Sequence, residues 1–250
     1  MGIIIKSPRE IDIMRKAGMF VATILDILKK KIEPGIITEE LDAITVKELD
    51  RLGATASFKG YKGFPASLCV SINDELVHGI PAKRTIKEGD IVSLDFGAIY
   101  NGFHGDAAIT IGVGKIRSKA KSLIDTTEGA LKVGVERARD GAHLGDVSAA
   151  IQQFVEHRGF SVVREYVGHG IGRSMHEDPQ IPNYGLAGQG PVLKRGMTLA
   201  LEPMVTVGDW RTRVTSDGWT VRTADGSLCA HFEDTIAITD GEAEILTRIA

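Results

Sequence analysis

The chain carries only two cysteines, Cys69 and Cys229. Two thiols cannot build a disulfide framework, which excludes the small stapled secreted scaffolds and suits a reducing compartment. No apolar run approaches the roughly 20 residues that a membrane-spanning helix needs. The amino-terminal MGIIIKSPRE has no signal-peptide core, and Lys6 stands where a myristoylation start wants Ser or Thr. Charge of neither sign dominates. The formal net charge is −3, so no basic field advertises nucleic acid or an anionic membrane, and Lys29-Lys30-Lys31 suits the carboxyl end of a helix. HExxH is absent, and the glycines around His169 lack the Walker lysine of a phosphate loop. The expectation is a cytoplasmic protein with no membrane partner and no sequence-specific nucleic-acid partner.

What is there is a 250-residue chain, 43% hydrophobic, long enough to bury a sizeable core. Ser7-Pro8-Arg9-Glu10 is a helix start, with Ser as cap, Pro in the first turn and Glu three residues on. Apolar residues continue at helical spacing to Pro34-Gly35. Thr38 is expected to cap a second helix that Gly53 ends. Strand-like SLCVSI, DIVSLDFG and AAITIGVG follow. The second half replays this order: a helix from about Ser118 to Asp140-Gly141, another capped by Asp146 and reaching Gly159, then strands. IKEGDIVSLDFG resembles LKRGMTLALEPM, each with a carboxylate six residues after its glycine, at Asp95 and Glu202. DAAITI from Asp106 likewise resembles EDTIAIT from Glu233. An internal repeat, roughly 7–112 and 118–240, is therefore expected within one domain spanning 1–250, with an α+β fold.

Asn101-Gly102 is a strong two-residue hairpin signal. A turn there sets Gly97 opposite Asp106 and Asp95 opposite Ala108, making Asp95 and Asp106 diagonal neighbours on one sheet face. Two carboxylates so placed repel, and a cation removes the conflict. Asp95 in VSLDFG and Glu202 in LALEP sit in runs too apolar to be solvent edges. If the halves superpose, Asp95, Asp106, Glu202 and Glu233 converge, and four negative charges balance two divalent cations roughly 3.5–4 Å apart. His169, flanked by Gly168 and Gly170, can complete the coordination, while His176 stands off and donates to a polarised carbonyl. Oxygen-rich ligation with one imidazole suits Mn, Fe(II) or Co and admits Zn.

NDELVHGIP, VSLDFG…NGFHGDAA, GHGIGRSMHEDP, LALEPMV and HFEDTIAIT, in that order, closely resemble the type I methionine aminopeptidases of peptidase family M24, in their short bacterial or organellar form. The resemblance implies a pita-bread fold, two pseudo-symmetric halves of antiparallel sheet covered by helices. It implies removal of the initiator methionine from nascent polypeptides when the second residue is small, by a monomer using two divalent ions (Co, Mn, Fe(II), Zn or Ni). Asp95, Asp106 and Glu233 would hold one ion, and Asp106, His169, Glu202 and Glu233 the other. Glu202 would shuttle a proton, His176 stabilise the oxyanion, and His78 orient the substrate amide. By motif position Tyr61, Phe64, Cys69 and Trp219 would line the methionine pocket, Cys69 as a wall and not a nucleophile.

Three positions depart from the family pattern. His231 stands where Gln is usual, Asp234 where His is usual, and Met175 where Phe is usual before His176. The nearest rivals are Xaa-Pro dipeptidase and aminopeptidase P, which usually carry a further amino-terminal domain. A metal-free relative that binds RNA or the ribosome would have lost ligands, whereas all five candidates stand here. Docking on the ribosome is left open.

Overall fold

A computed structural model describes residues 2–249; Met1 and Ala250, the outermost residues of the expected 1–250 domain, lie outside the described residues. Helix α1 (Pro8–Lys31) opens on the expected cap, with Ser7 Oγ accepting from the Glu10 N–H and Glu10 reaching back to the Ser7 N–H. Lys29, Lys30 and Lys31 occupy its last turn, where they complement the helix dipole. Helix α2 (Thr38–Leu52) ends on Gly53 in the left-handed conformation, φ 66°. Thr38 is its first helical residue and not its cap. The Thr38 hydroxyl is drawn away by a distant loop, donating to the Ala82 carbonyl and accepting the Ala82 N–H.

The first half continues through β1 (Thr55–Ala56), β2 (Cys69–Ile72), β3 (Glu75–Val77), β4 (Ile91–Tyr100) and β5 (Phe103–Gly112). Helices α3 (Ser118–Arg137) and α4 (Leu144–Glu156) open the second half. At α4 the structure corrects the expected cap. Asp146 lies in the first turn and its carboxylate accepts the N–H of His143, the capping residue. Strands β6 (Ser161–Val162), β7 (Gly168–Gly170), β8 (Glu177–Ile181), β9 (Thr198–Leu201) and β10 (Met204–Thr206) follow. The chain then runs through β11 (Thr212–Val214), β12 (Val221–Thr223), β13 (Cys229–His231), β14 (Glu233–Ala237) and β15 (Glu244–Ile245). The main sheet is ordered β1-β4-β5-β14-β9-β7-β8, with β2 beside β4 and β15 beside β14, all antiparallel. Strands from both halves meet where β5 pairs with β14. The architecture is α+β.

Two apolar clusters fasten the helices to this sheet. Val21, Ile24 and Leu28 of α1 pack with Leu41 of α2 and with Val70, Val92 and Leu94 of β2 and β4. Leu123 and Leu131 of α3 pack with Val147 and Ile151 of α4 and with Leu199, Leu201 and Ile236 of β9 and β14. Each such side chain, fully buried, contributes about 1.5–3 kcal/mol. Helix α1 lies close on β5 because both surfaces carry glycine. A Cβ on Gly105 would stand 2.8 Å from the Gly18 nitrogen, and one on Gly18 2.3 Å from the Leu246 carbonyl oxygen. That carbonyl belongs to a carboxyl-terminal strap bound back onto β14, where Leu246 N–H donates to Thr235 O and Arg248 pairs with Asp234. No helix among the described residues is long and apolar enough to cross a membrane.

Candidate metal centre

The hairpin between β4 and β5 sets the site. Asn101 (φ 46°) and Gly102 (φ 77°) both take the left-handed conformation, as a tight two-residue turn between right-twisted strands requires. The resulting register puts Gly97 opposite Asp106 and Asp95 opposite Ala108. Ala108 in turn faces Glu233 across β14. Directly paired residues share a sheet face, so Asp95 and Glu233 flank one methyl group, with Asp106 two residues along the same strand. A larger residue at 108 would fill the space between the carboxylates.

Glu202 arrives by a different route. Strand β9 ends at Leu201, Pro203 cannot donate to a ladder, and Glu202 occupies the break before β10, its carbonyl held by Asn183 Nδ2 at 2.9 Å. His169 lies on β7 opposite Ala200 of β9. Ligand atoms of Asp106, His169 and Glu233 lie within 4.8 Å of one another, and His169 Nε2 is 3.6 Å from Glu202 Oε1. His169 Nδ1–H donates to the Gly170 carbonyl at 2.8 Å. That bond fixes the tautomer and leaves the Nε2 lone pair turned to the acids.

The electrostatics of this cluster are unfavourable as they stand. Burial pushes the Asp95 carboxyl up to about 7. Burial, and then the charges of the neighbouring acids, hold Asp106, Glu202 and Glu233 well above the usual carboxylate range. Burial draws His169 down to about 3, with His176 adding to the effect. Asp95 Oδ1, Asp106 Oδ1 and Glu233 Oε1 are buried without a hydrogen-bond partner among the described residues. Buried acceptors are almost always satisfied, and three orphaned carboxylate oxygens beside a neutral imidazole are what a divalent cation would satisfy.

All eleven residues singled out in the sequence line one cavity of about 230 Å³ around these acids. Phe64 meets Trp219 edge to face at 5.2 Å. Cys69 is walled in, and burial beside Asp95 raises its thiol well above the usual range, which keeps it protonated. The chain entering that strand is fixed by the Asp42 carboxylate, which accepts the N–H groups of Ser67 and Leu68. His78 sits at φ 59°, a strained conformation for a residue with a side chain, with its ring edge-on to Tyr166 and Trp219. Burial and His176 lower it to about 4. The His176 ring lies 4.2 Å from the His169 ring, tilted by 39°, and shares a 2.9 Å hydrogen bond with the Tyr61 hydroxyl. Glu177, next in sequence, is tied by a buried ion pair to Lys6.

Phe58 and Lys62 also line the cavity and were not legible in the sequence, while Met175, noted only as a departure, packs there with Phe58 and Phe64. The clustering of aromatics and lysines in SFKGYKGF was the available signal. His104, its Nδ1 2.9 Å from Ser57 Oγ, lies near enough to help lower His169 and was likewise missed. A larger cavity of about 870 Å³ lies between α1, α3 and the carboxyl-terminal strap, but its described lining includes no histidine or cysteine. The chemistry belongs to the smaller one.

This geometry coincides with a family match over residues 12–240, to metallopeptidase family M24. The chain belongs to that family. It is 55% identical to methionine aminopeptidase 1 of Bacillus subtilis over 247 residues, covering 99% of this chain and 100% of that protein. It is 45% identical to the methionine aminopeptidase of Aquifex aeolicus, with full coverage of both. The crystal structure of methionine aminopeptidase from Thermotoga maritima superposes with a TM-score of 0.98 at 51% identity, covering 99% of this chain and 100% of that one. Prolidase from Pyrococcus furiosus reaches 0.81 at 26%, with 98% of this chain matched to 65% of that one. The fold is thus the pita-bread fold of family M24.

Proposed function

We propose that this M24 metallopeptidase is a methionine aminopeptidase that removes the initiator methionine from nascent polypeptides when the second residue is small. The convergence of four mutually repelling carboxyls, three of them buried, and one oriented imidazole on one largely apolar-walled cavity carries this reading. Near-complete mutual coverage with methionine aminopeptidases, against two-thirds coverage of a prolidase, supports the choice of substrate over Xaa-Pro peptides.

In this reading Asp95, Asp106 and Glu233 hold one divalent ion, and Asp106, His169, Glu202 and Glu233 the other. When bound, the ions supply a water acidic enough to be a nucleophile near neutral pH, a hold on the substrate's free amine, and polarisation of its carbonyl. The residues do the rest. Glu202, its carboxylate 3.6 Å from His169 Nε2 in the acidic cluster, takes the proton of the attacking water and delivers it to the leaving amine. His176, held by Tyr61, donates to the carbonyl oxygen as negative charge develops there. His78 donates to the substrate amide from its strained turn. Tyr61, Phe64, Cys69 and Trp219, joined by Phe58 and Met175, enclose the methionine side chain. The cavity of about 230 Å³ is small and largely apolar-walled, which fits one soft, unbranched side chain. The ions are of the Co, Mn, Fe(II), Zn or Ni class, and the protein works as a cytoplasmic monomer on chains emerging from the ribosome. The two halves, 7–112 and 118–240, are an internal repeat of one catalytic domain. This is supported by a helix pair followed by antiparallel strands in each half, and by two of the four acids coming from each.

The test is release of Met from Met-Gly-Met-Ser by metal-stripped protein resupplied with Mn(II) or Co(II), set against release of Xaa from Xaa-Pro peptides. Methionine release that requires added metal is expected. Cleavage of the proline substrates alone overturns the specificity, and a chain that binds no divalent ion overturns the metal centre.

A further inference from the structure

His231 is 1% exposed, and neither of its ring nitrogens makes a hydrogen bond among the described residues. Its backbone has no freedom to relieve this. The His231 N–H donates to Thr110 Oγ1 at 2.9 Å, the Thr110 hydroxyl donates to the His231 carbonyl at 2.8 Å, and the residue is paired with Met204 across β10. Thr110 is itself hydrogen-bonded to Ser93, so β4 and β5 together fix where the imidazole stands. A buried imidazole left unpaired forfeits the hydrogen bonds it made to water, which makes an idle ring at this place expensive.

The nearest unmet group is Glu233. Phe232 separates the two residues in the chain, and His231 Nε2 lies 3.7 Å from Glu233 Oε2 while Glu233 Oε1 is orphaned. The ring does not line the catalytic cavity, and the cluster of ligand atoms within mutual reach of one ion comprises Asp106, His169 and Glu233 without it. His231 therefore meets the acidic cluster through Glu233. Closing 3.7 Å to a hydrogen bond of about 2.9 Å takes less than about 1 Å of side-chain movement.

We propose that His231 is a positioning residue for Glu233: its Nε2–H donates to Glu233 Oε2, holds the carboxylate in one rotamer and leaves Oε1 aimed into the acidic cluster. The inference rests on reading that cluster as a metal site. A carboxylate anchored at one oxygen loses less freedom on binding a cation, and partners of this kind change metal affinity by about 10–100-fold when removed. The donor is the imidazole N–H, so a side chain of different shape with an N–H at similar reach should replace it.

The experiment titrates metal-free protein with Mn(II) by calorimetry in the parent, His231→Leu and His231→Gln. Leu should weaken Mn(II) binding by tenfold or more, and Gln should restore it to within about threefold of the parent. Leu binding within twofold of the parent, or Gln as weak as Leu, overturns the proposal. A parent that binds no Mn(II) instead sinks the metal-site reading, and this inference with it. Should the Leu protein fail to fold, histidine-¹⁵N spectra of the parent decide. A proton on His231 Nε2 and a signal that moves when Zn(II) is added uphold the proposal, whereas a proton on Nδ1 or a signal indifferent to metal overturns it.

Discussion

Filling the acidic cluster with a divalent cation should expel protons at neutral pH, and the structure sets how many. Burial holds the Asp95 carboxyl up to about 7 from an ordinary 3.8. At about 1.4 kcal/mol per pH unit, ionising it in the metal-free fold costs on the order of 4 kcal/mol. Asp106, Glu202 and Glu233 are raised too, by burial first and then by their neighbours' charges, and add to what Asp95 retains. His169, lowered by burial to about 3, is already neutral and contributes none. Cations bind ionised carboxylates, so Asp95 alone should give up about half a proton at pH 7 as the site fills, and its neighbours add to that. Calorimetric titration with Mn(II) in buffers of different ionisation enthalpy counts them. The same displacement predicts the pH dependence of metal-free stability. A carboxyl with a raised folded pKa stabilises the fold fully below its unfolded value, and that stability is lost as pH rises through the folded value. Buried histidines act in the opposite direction. His78, His104, His169 and His231 are lowered by burial to about 3 or 4, and weaken the fold only as pH drops below their ordinary 6.5. The window from about pH 6.5 to 8.5 therefore isolates the carboxyls. The melting temperature of chelator-treated protein should fall across it, and Mn(II) should flatten the fall. Heats independent of buffer, together with a metal-free melting temperature level over this window, would refute the claim that these acids are crowded without a counter-ion.

Glu202→Gln and His169→Ala should each lower turnover of Met-Gly-Met-Ser by at least about 10²-fold with an unchanged circular dichroism spectrum; near-parental turnover removes that residue from the mechanism. Cys69→Ser should act mainly on KM for methionine substrates, because the thiol is a protonated wall of the cavity. Complete loss of activity with metal retained would reveal a chemical role for it. Gly18→Ala places a methyl 2.3 Å from the Leu246 carbonyl oxygen, a backbone atom that cannot turn away. Strain of about 1–3 kcal/mol should exceed the roughly 1 kcal/mol that alanine gains in a helix, and a thermal melt at or above the parent's would contradict this.

The features that short-range chemistry dictates were legible in the residues alone. Asn101-Gly102 admits few turns, and a two-residue turn fixes every pairing along β4 and β5, so the placement of Asp95 and Asp106 follows from the sequence. Ser7 and Glu10 satisfy orphan N–H groups within one turn, so the start of α1 is equally local. Where a side chain had a distant competitor, local reading failed. Thr38 was claimed by Ala82, forty-four residues away, and Asp146 serves the backbone of His143 in place of capping the helix itself. The segment between Glu202 and Glu233 is held where β12 pairs with β3 from the other half, a contact no turn signal encodes. Phe58 and Lys62 reach the cavity, and His104 reaches Ser57, for the same reason: their partners come from strands and loops far along the chain. His231 shows the division most plainly. Its identity and its step of two from Glu233 are sequence, but its burial and its two unmet nitrogens depend on β4, β5 and β10 closing over it. Only the packed structure turns an imidazole on a strand into a charge-positioning group, because desolvation is a property of the surroundings and not of the residue.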